Sequence, residues 1–151
     1  MRYLRWGPAA RDARAGWEED TYRKALEAVG RHDAAVARWY LERLLRTADT
    51  APETCSGTAA RALYLLAGLD AAEGLLFSAR SRYAESAMAL EGARSRAERA
   101  GDGGPAAMLA EFRDLARAVA ADLAENCGLD GGWPEPGHRA VPPGEPAGTA
   151  G

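Results

Sequence analysis

The chain has 151 residues, enough for one compact domain, and 47% of them are hydrophobic. Its formal net charge of −3 argues against nucleic acid and anionic lipid as partners, because no overall positive field attracts them. Two cysteines do not make the disulfide framework of a small secreted protein, and no apolar stretch approaches the ~20 residues of a membrane span, so the sequence predicts a soluble cytoplasmic protein.

The first sixteen residues are interpreted as an N-terminal arm. Residues 1–16 mix arginines with Trp6 and a Gly-Pro pair, show no helical period, and lack the apolar centre of a secretory signal. Such an arm docks on its own domain, stays disordered, or binds a partner through its arginine charges and aromatic stacking. The sequence leaves these alternatives open.

Two helices are predicted next, separated by a turn after Gly30. Apolar residues recur at helical spacing from Trp17, and Gly30 is suited to end that first helix. Asp33 is placed as the N-cap of the second helix, because its carboxylate can accept the free backbone N–H groups of the first turn. The second helix carries an apolar surplus that covers more than half of its surface, namely Trp39, Tyr40, Leu41, Leu44 and Leu45.

The sequence in the middle of the chain predicts a third helix, followed by either one long helix or two shorter ones. The third helix begins near Thr58 and is apolar on nearly all sides, which requires a central position or a covering partner. Gly68 is a candidate stop, and Asp70 is a candidate N-cap for a helix from 71 to about 100. Whether residues 70–100 form one helix or two stays open.

The last helix is predicted from Pro105 to a glycine stop at Gly128. Its apolar residues fall on one stripe, formed by Met108, Phe112, Leu115, Val119 and Leu123. Residues 129–151 are rich in glycine and proline and contain too little apolar surface to offset the entropy of ordering, so they are predicted to be a disordered tail.

The predicted fold class is all-α, since no window has the alternating pattern of a β-strand. Residues 17–128 are predicted to form one helical domain, either a four- or five-helix bundle or a short array of helical hairpins. The arm at 1–16 and the tail at 129–151 flank it.

Two of the predicted helix starts have similar sequences. "GRHDAAVARWY" at 30–40 and "GLDAAEGLLF" at 68–77 share a glycine, then Asp-Ala-Ala, then a bulky pair. Residues 17–100 resemble tetratricopeptide-repeat helical hairpins, with Gly30 at the inter-helix glycine, Ala35 at a small position and Trp39 at the aromatic position. The resemblance implies antiparallel helix pairs packed closely through small residues. The chain departs from the family's other glycine, second alanine and closing proline at Arg23, Glu42 and Thr47.

The residue constellations of common enzyme chemistry are missing from the sequence. His32 and His138 stand apart, and there is no Cys-x-x-Cys pair, P-loop or dinucleotide-binding motif. Cys55 precedes the third helix, where a helix N-terminus would make a thiol nucleophilic; the alternative is a small structural loop residue. A disulfide to Cys127 is disfavoured in a cytosolic protein. We therefore predict no catalytic residue, metal or cofactor, and the balance is against an enzyme.

The leading functional hypothesis is a non-catalytic helical module for protein–protein interaction, regulation or assembly. Its partner is another protein or a second copy of the chain, and its predicted partner-binding residues are Trp39, Tyr40, Leu44 and Tyr64. The alternative is a small-molecule-binding bundle, a ligand sensor or unrecognised enzyme, with a pocket lined by aromatic residues. The candidate lining residues are Tyr22, Trp39, Tyr40, Tyr64, Tyr83 and Phe112.

Overall fold

The computed structural model describes residues 7–126, which form five α-helices with no strand among them. The helices are α1 (Pro8–Gly30), α2 (Ala34–Thr47), α3 (Gly57–Ala72), α4 (Leu76–Arg99) and α5 (Gly103–Asn126). The all-α prediction is confirmed. The proposed tail at 129–151, the stop at Gly128, and residues 1–6 of the arm lie outside the described residues.

The first helix begins at Pro8, well before the predicted start at Trp17. Proline suits the first helical turn because its missing N–H has no partner there, and the alanines that follow favour helix without any apolar period. The guanidinium of Arg14 also donates to the carbonyl of Thr47 at the end of α2. The segment interpreted as an arm is therefore helical from Pro8 onward.

The connection between α1 and α2 is a tight turn closed by a hydrogen bond from the Asp33 N–H to the Ala28 carbonyl, at 2.9 Å. α1 ends at Gly30 as predicted, but His32, with φ of +58°, is the left-handed residue. Asp33 then caps α2, as predicted, because its side chain accepts from the Val36 N–H at 3.2 Å.

The connection between α3 and α4 differs from the prediction. α3 continues through Gly68 and Asp70 to Ala72, and the chain reverses at Gly74, where φ is +78°. Leu75 N–H closes that turn on the Asp70 carbonyl at 2.9 Å. The predicted stop at Gly68 and cap at Asp70 are thus wrong, because both residues lie inside α3 and the Asp70 carboxylate binds Arg38 and Arg82 of other helices. Residues 76–99 form one helix.

α3 lies at the centre of the fold. Each helix packs on the next one along the chain, and α3 also contacts α1 and α5, so it touches all four other helices. This explains why α3 is apolar on nearly all sides. Within residues 7–126 the backbones of α1 and α5 do not approach each other. The fold is therefore an open array of antiparallel hairpins around α3.

The connection between α2 and α3 is held against α4 by one arginine and one glycine. The guanidinium of Arg96 donates to the carbonyls of Pro52 at 2.8 Å and Glu53 at 2.7 Å, and also to that of Cys55. One turn before Arg96, Gly92 lets the Pro52 carbonyl come close to the helix, where a side chain would block it.

Candidate functional site

The four predicted partner-binding residues are not brought together. Leu44 is fully buried in the core, so its assignment to a binding surface is corrected: it has no surface to offer a partner. Tyr64 is half-buried and packs edge-to-face on Tyr83 and Phe112, with ring centroids 5.4 and 5.3 Å away. Trp39 and Tyr40 alone remain close to each other, on α2.

Trp39 is the most conspicuous of these side chains because it is 50% exposed. Its ring meets Tyr40 edge-to-face with centroids 5.0 Å apart, and the guanidinium of Arg43 lies over it, 5.3 Å from the ring centroid. One helical turn separates Trp39 from Arg43, so both occupy the outer face of α2. We call Trp39, Tyr40 and Arg43 the Trp39 surface.

The opposite face of α2 explains why the Trp39 surface points outward. Ala37, Leu41 and Leu44 recur at spacings of four and three and are all fully buried. A residue two positions from Ala37 is rotated by about 200° around the helix axis, which turns Trp39 away from the core. Its exposure therefore follows from the burial of the leucine face.

The aromatic residues proposed as a pocket lining make packing contacts instead. Tyr22 is buried under the guanidinium of Arg61, which lies 4.7 Å from its ring centroid. Tyr64 packs on both Tyr83 and Phe112. Open clefts of about 480 Å³ beside α4 and about 550 Å³ beside α1 are lined by other residues.

A buried ionic cluster joins α2, α3 and α4, and sequence reasoning missed it. Asp70 of α3 is fully buried and lies 2.7 Å from Arg38 of α2 and 2.7 Å from Arg82 of α4. The Ser78 hydroxyl donates to the same carboxylate at 2.6 Å, and Glu73 pairs with Arg38 at 3.1 Å. We call these five residues the Asp70 cluster.

The charge of Asp70 depends on its neighbours. Burial disfavours the carboxylate, but the hydrogen bond from Ser78 and the charges of Arg38 and Arg82 outweigh burial and lower the pKa of Asp70 below its usual value. The cluster is therefore ionised at neutral pH. Its arginines are already committed to carboxylates, so its evident role is to fasten three helices together.

A second buried carboxylate stabilises the start of α3. Glu18 of α1 accepts from the Ser56 hydroxyl at 2.7 Å and pairs with Arg14 at 3.4 Å. Ser56 in turn caps α3 by accepting from the Ala59 N–H at 3.0 Å. This chain of contacts connects α1 to the N-terminus of α3 and is structural.

Cys55 is fully buried, and desolvation raises the pKa of its thiol to about 12. A thiol with that pKa is almost wholly protonated and is a poor nucleophile. Of the two interpretations that the sequence left open, the geometry supports the structural one. Cys127 lies outside the described residues.

The thiol of Cys55 is expected to react with an aromatic disulfide reagent only when the chain unfolds. At pH 8 a pKa of about 12 leaves a thiolate fraction on the order of 10⁻⁴. The measurement is the labelling rate of the Cys127→Ser variant, in which Cys55 alone reports. A rate equal to that of a small free thiol would contradict the burial of Cys55.

Residues 7–126 contain no group of three or more His, Cys, Asp or Glu side chains that could hold a metal ion. Within the same range, every helix is too short or too polar to cross a membrane. No protein-family model, curated protein or solved structure matches the chain. The candidate site therefore rests on geometry, and the Trp39 surface is its strongest part.

Proposed function

We propose that the chain is a non-catalytic helical module that binds a protein partner through the Trp39 surface. The observation that carries this proposal is the half-exposed Trp39 ring, held between Tyr40 and Arg43 outside the core. Tryptophan, tyrosine and arginine dominate the energetic centres of protein interfaces. Their preorganisation on a helix reduces the entropy lost on binding.

The arrangement of the helices supports a scaffold role for the module in the cytoplasm. In the proposal, α1–α2 and α3–α4 act as two hairpin units of the tetratricopeptide-like kind, and α5 covers the exposed end of the second unit. Packing between consecutive helices favours this interpretation. Within residues 7–126 the open array also leaves α2 with an outer face that no other helix covers.

Replacement of Trp39 by alanine is expected to weaken partner binding enough that the partner is no longer captured, while the fold persists. Because half of the ring is exposed, the free energy of unfolding should fall by no more than about 1 kcal/mol. The experiment compares three full-length baits on extracts of the source cells: wild type, Trp39→Ala and Met88→Ala. Met88 is the matched control, since it is apolar, 62% exposed, and lies on α4.

The informative result is a protein retained by wild type and Met88→Ala but absent from Trp39→Ala. Identical protein sets on all three baits would refute the assignment of the Trp39 surface. Denaturant unfolding of each bait checks that a lost partner does not reflect a lost fold.

A further inference from the structure

The Trp39 surface is too small to serve as the whole interface of a dimer. Trp39 is its large exposed apolar side chain, and the outward-facing neighbours Glu42, Arg43 and Arg46 are charged. α2 is 14 residues long, or about 21 Å, whereas a stable interface buries about 1,200–2,000 Å² in total. The dimensions fit a short linear segment better than a second folded copy.

We propose that residues 141–146 of the same chain, "VPPGEP", are an intramolecular ligand of the Trp39 surface. The inference rests on the proposed function, because it assigns a competitor to the same site. Segments with a Pro-x-x-Pro spacing, here Pro143 and Pro146, bind aromatic surfaces by laying proline rings on them. Trp39 and Tyr40 form such an aromatic pair.

Charge complementarity favours this occupant. Residues 129–151 carry three acidic side chains against one arginine, for a net charge of −2, and Glu145 lies inside the proposed segment. Arg43 and Arg46 are exposed on the face of α2 that carries Trp39. Glu145 is therefore expected to pair with an arginine while Pro143 and Pro146 contact the rings.

The chain is long enough for the segment to reach the Trp39 surface. Arg38 near the start of α2 pairs with Asp70 near the end of α3, and Leu109 near the start of α5 lies beside Gly57 at the start of α3. α5 therefore ends at Asn126 on the side of the fold where α2 begins. From Asn126 to Val141 is 15 residues, which can span up to about 50 Å. Trp39 lies in the second turn of α2, toward the start of that helix and so on the side of the fold where α5 ends.

Tethering makes even a weak contact significant. A tether of about 15 residues gives an effective concentration on the order of 1 mM, so a dissociation constant of about 1 mM would leave the surface about half occupied. A partner must then compete with the segment, and its apparent affinity falls about twofold at half occupancy. The segment thus moderates access to the Trp39 surface.

The test is NMR of the full chain, with the indole N–H of Trp39 as the probe, assigned from a Trp39→Phe variant. Wild type is compared with a triple variant, Pro142→Ala, Pro143→Ala and Pro146→Ala, and with a control pair, Pro134→Ala and Pro136→Ala. We expect the triple variant to shift the Trp39 resonance and the control pair to leave it unchanged. A synthetic peptide of residues 137–151 added to the triple variant should restore the wild-type position.

A Trp39 resonance at the same position in wild type and the triple variant would overturn the proposal. So would a shift that changes with tenfold dilution of the wild type, because it would identify a second copy as the occupant. If the NMR test fails but Trp39→Ala still loses a captured partner, the tail proposal is refuted and the proposed function is retained. Failure of that capture, with the NMR shift present, would leave the tail as the ligand of the surface and refute the external partner.

Discussion

Asp70→Ala is expected to lower the free energy of unfolding by about 3–5 kcal/mol, the usual cost of breaking a buried ion pair. The substitution removes a fully buried carboxylate and leaves Arg38 and Arg82 without their shared partner. It also opens a space between α2, α3 and α4. The measurement is urea unfolding followed by circular dichroism, with Glu73→Gln as the matched control.

Glu73 is the appropriate control because it pairs with the same arginine, Arg38, from an exposed position. Its loss should cost no more than about 1 kcal/mol, as is usual for a solvent-exposed pair. Equal losses in Asp70→Ala and Glu73→Gln would show that burial of Asp70 does not matter and would contradict the cluster's role.

The pH dependence of the Asp70→Ala effect has a definite sign. Because the folded state lowers the pKa of Asp70, the carboxylate's contribution is fully present above its unfolded pKa of about 3.9 and is lost as the pH falls through the folded pKa. The stability difference between wild type and Asp70→Ala should therefore shrink below about pH 4. A constant difference from pH 7 to pH 2 would argue against an ionised Asp70.

Gly92→Ala is expected to destabilise the fold by up to about 3 kcal/mol, through overpacking. A Cβ at this position would overlap the Pro52 carbonyl oxygen and lie 2.8 Å from the carbonyl carbon, and both are backbone atoms. The α2–α3 connection must then move, which strains the hydrogen bonds that Arg96 donates to it. Thermal and urea unfolding both measure this loss.

Gly16→Ala provides the opposite expectation for the same chemical change. Gly16 lies inside α1 with open space around it, so alanine there should stabilise the chain by roughly 0.5–1 kcal/mol through helix propensity. If Gly92→Ala also stabilised the chain, the close approach of Pro52 to α4 would be refuted.

Helix-capping rules applied to the sequence predict one helix start correctly and another one wrongly. Asp33 and Asp70 stand in the same Asp-Ala-Ala context, yet Asp33 caps α2 and Asp70 is buried inside α3. The difference is tertiary, because Arg38 and Arg82 arrive from other helices and satisfy the Asp70 carboxylate. No short-range pattern contains that information, so the similarity between residues 30–40 and 68–77 does not mark structurally equivalent positions.

The positions of the turns also could not be predicted from short-range sequence patterns alone. The residue with a positive φ marks where the chain reverses, and that residue is Gly74 after α3 but His32, which is not a glycine, after α1. Gly68 is a candidate stop by composition, but its φ is not positive and α3 continues through it to Ala72. Backbone conformation, which residue type alone does not determine, distinguishes Gly68 from Gly74.

The candidate site was partly predictable from helical spacing. Trp39 and Tyr40 were identified from the apolar surplus of α2, and Trp39 is indeed outside the core. Leu44 belongs to the same surplus but shares a face with Ala37 and Leu41, so a stricter use of the helical period would have assigned it to the core. The contribution of Arg43 becomes visible only with the ring geometry.

The central claim is that Trp39 serves binding rather than folding, and calorimetric titration tests it most directly. The captured partner is titrated into wild type, Trp39→Ala and Met88→Ala at equal ionic strength. The proposal predicts that Trp39→Ala weakens binding by about 2 kcal/mol or more, roughly 30-fold, while Met88→Ala changes it by less than about threefold. Equal affinities for wild type and Trp39→Ala would contradict it.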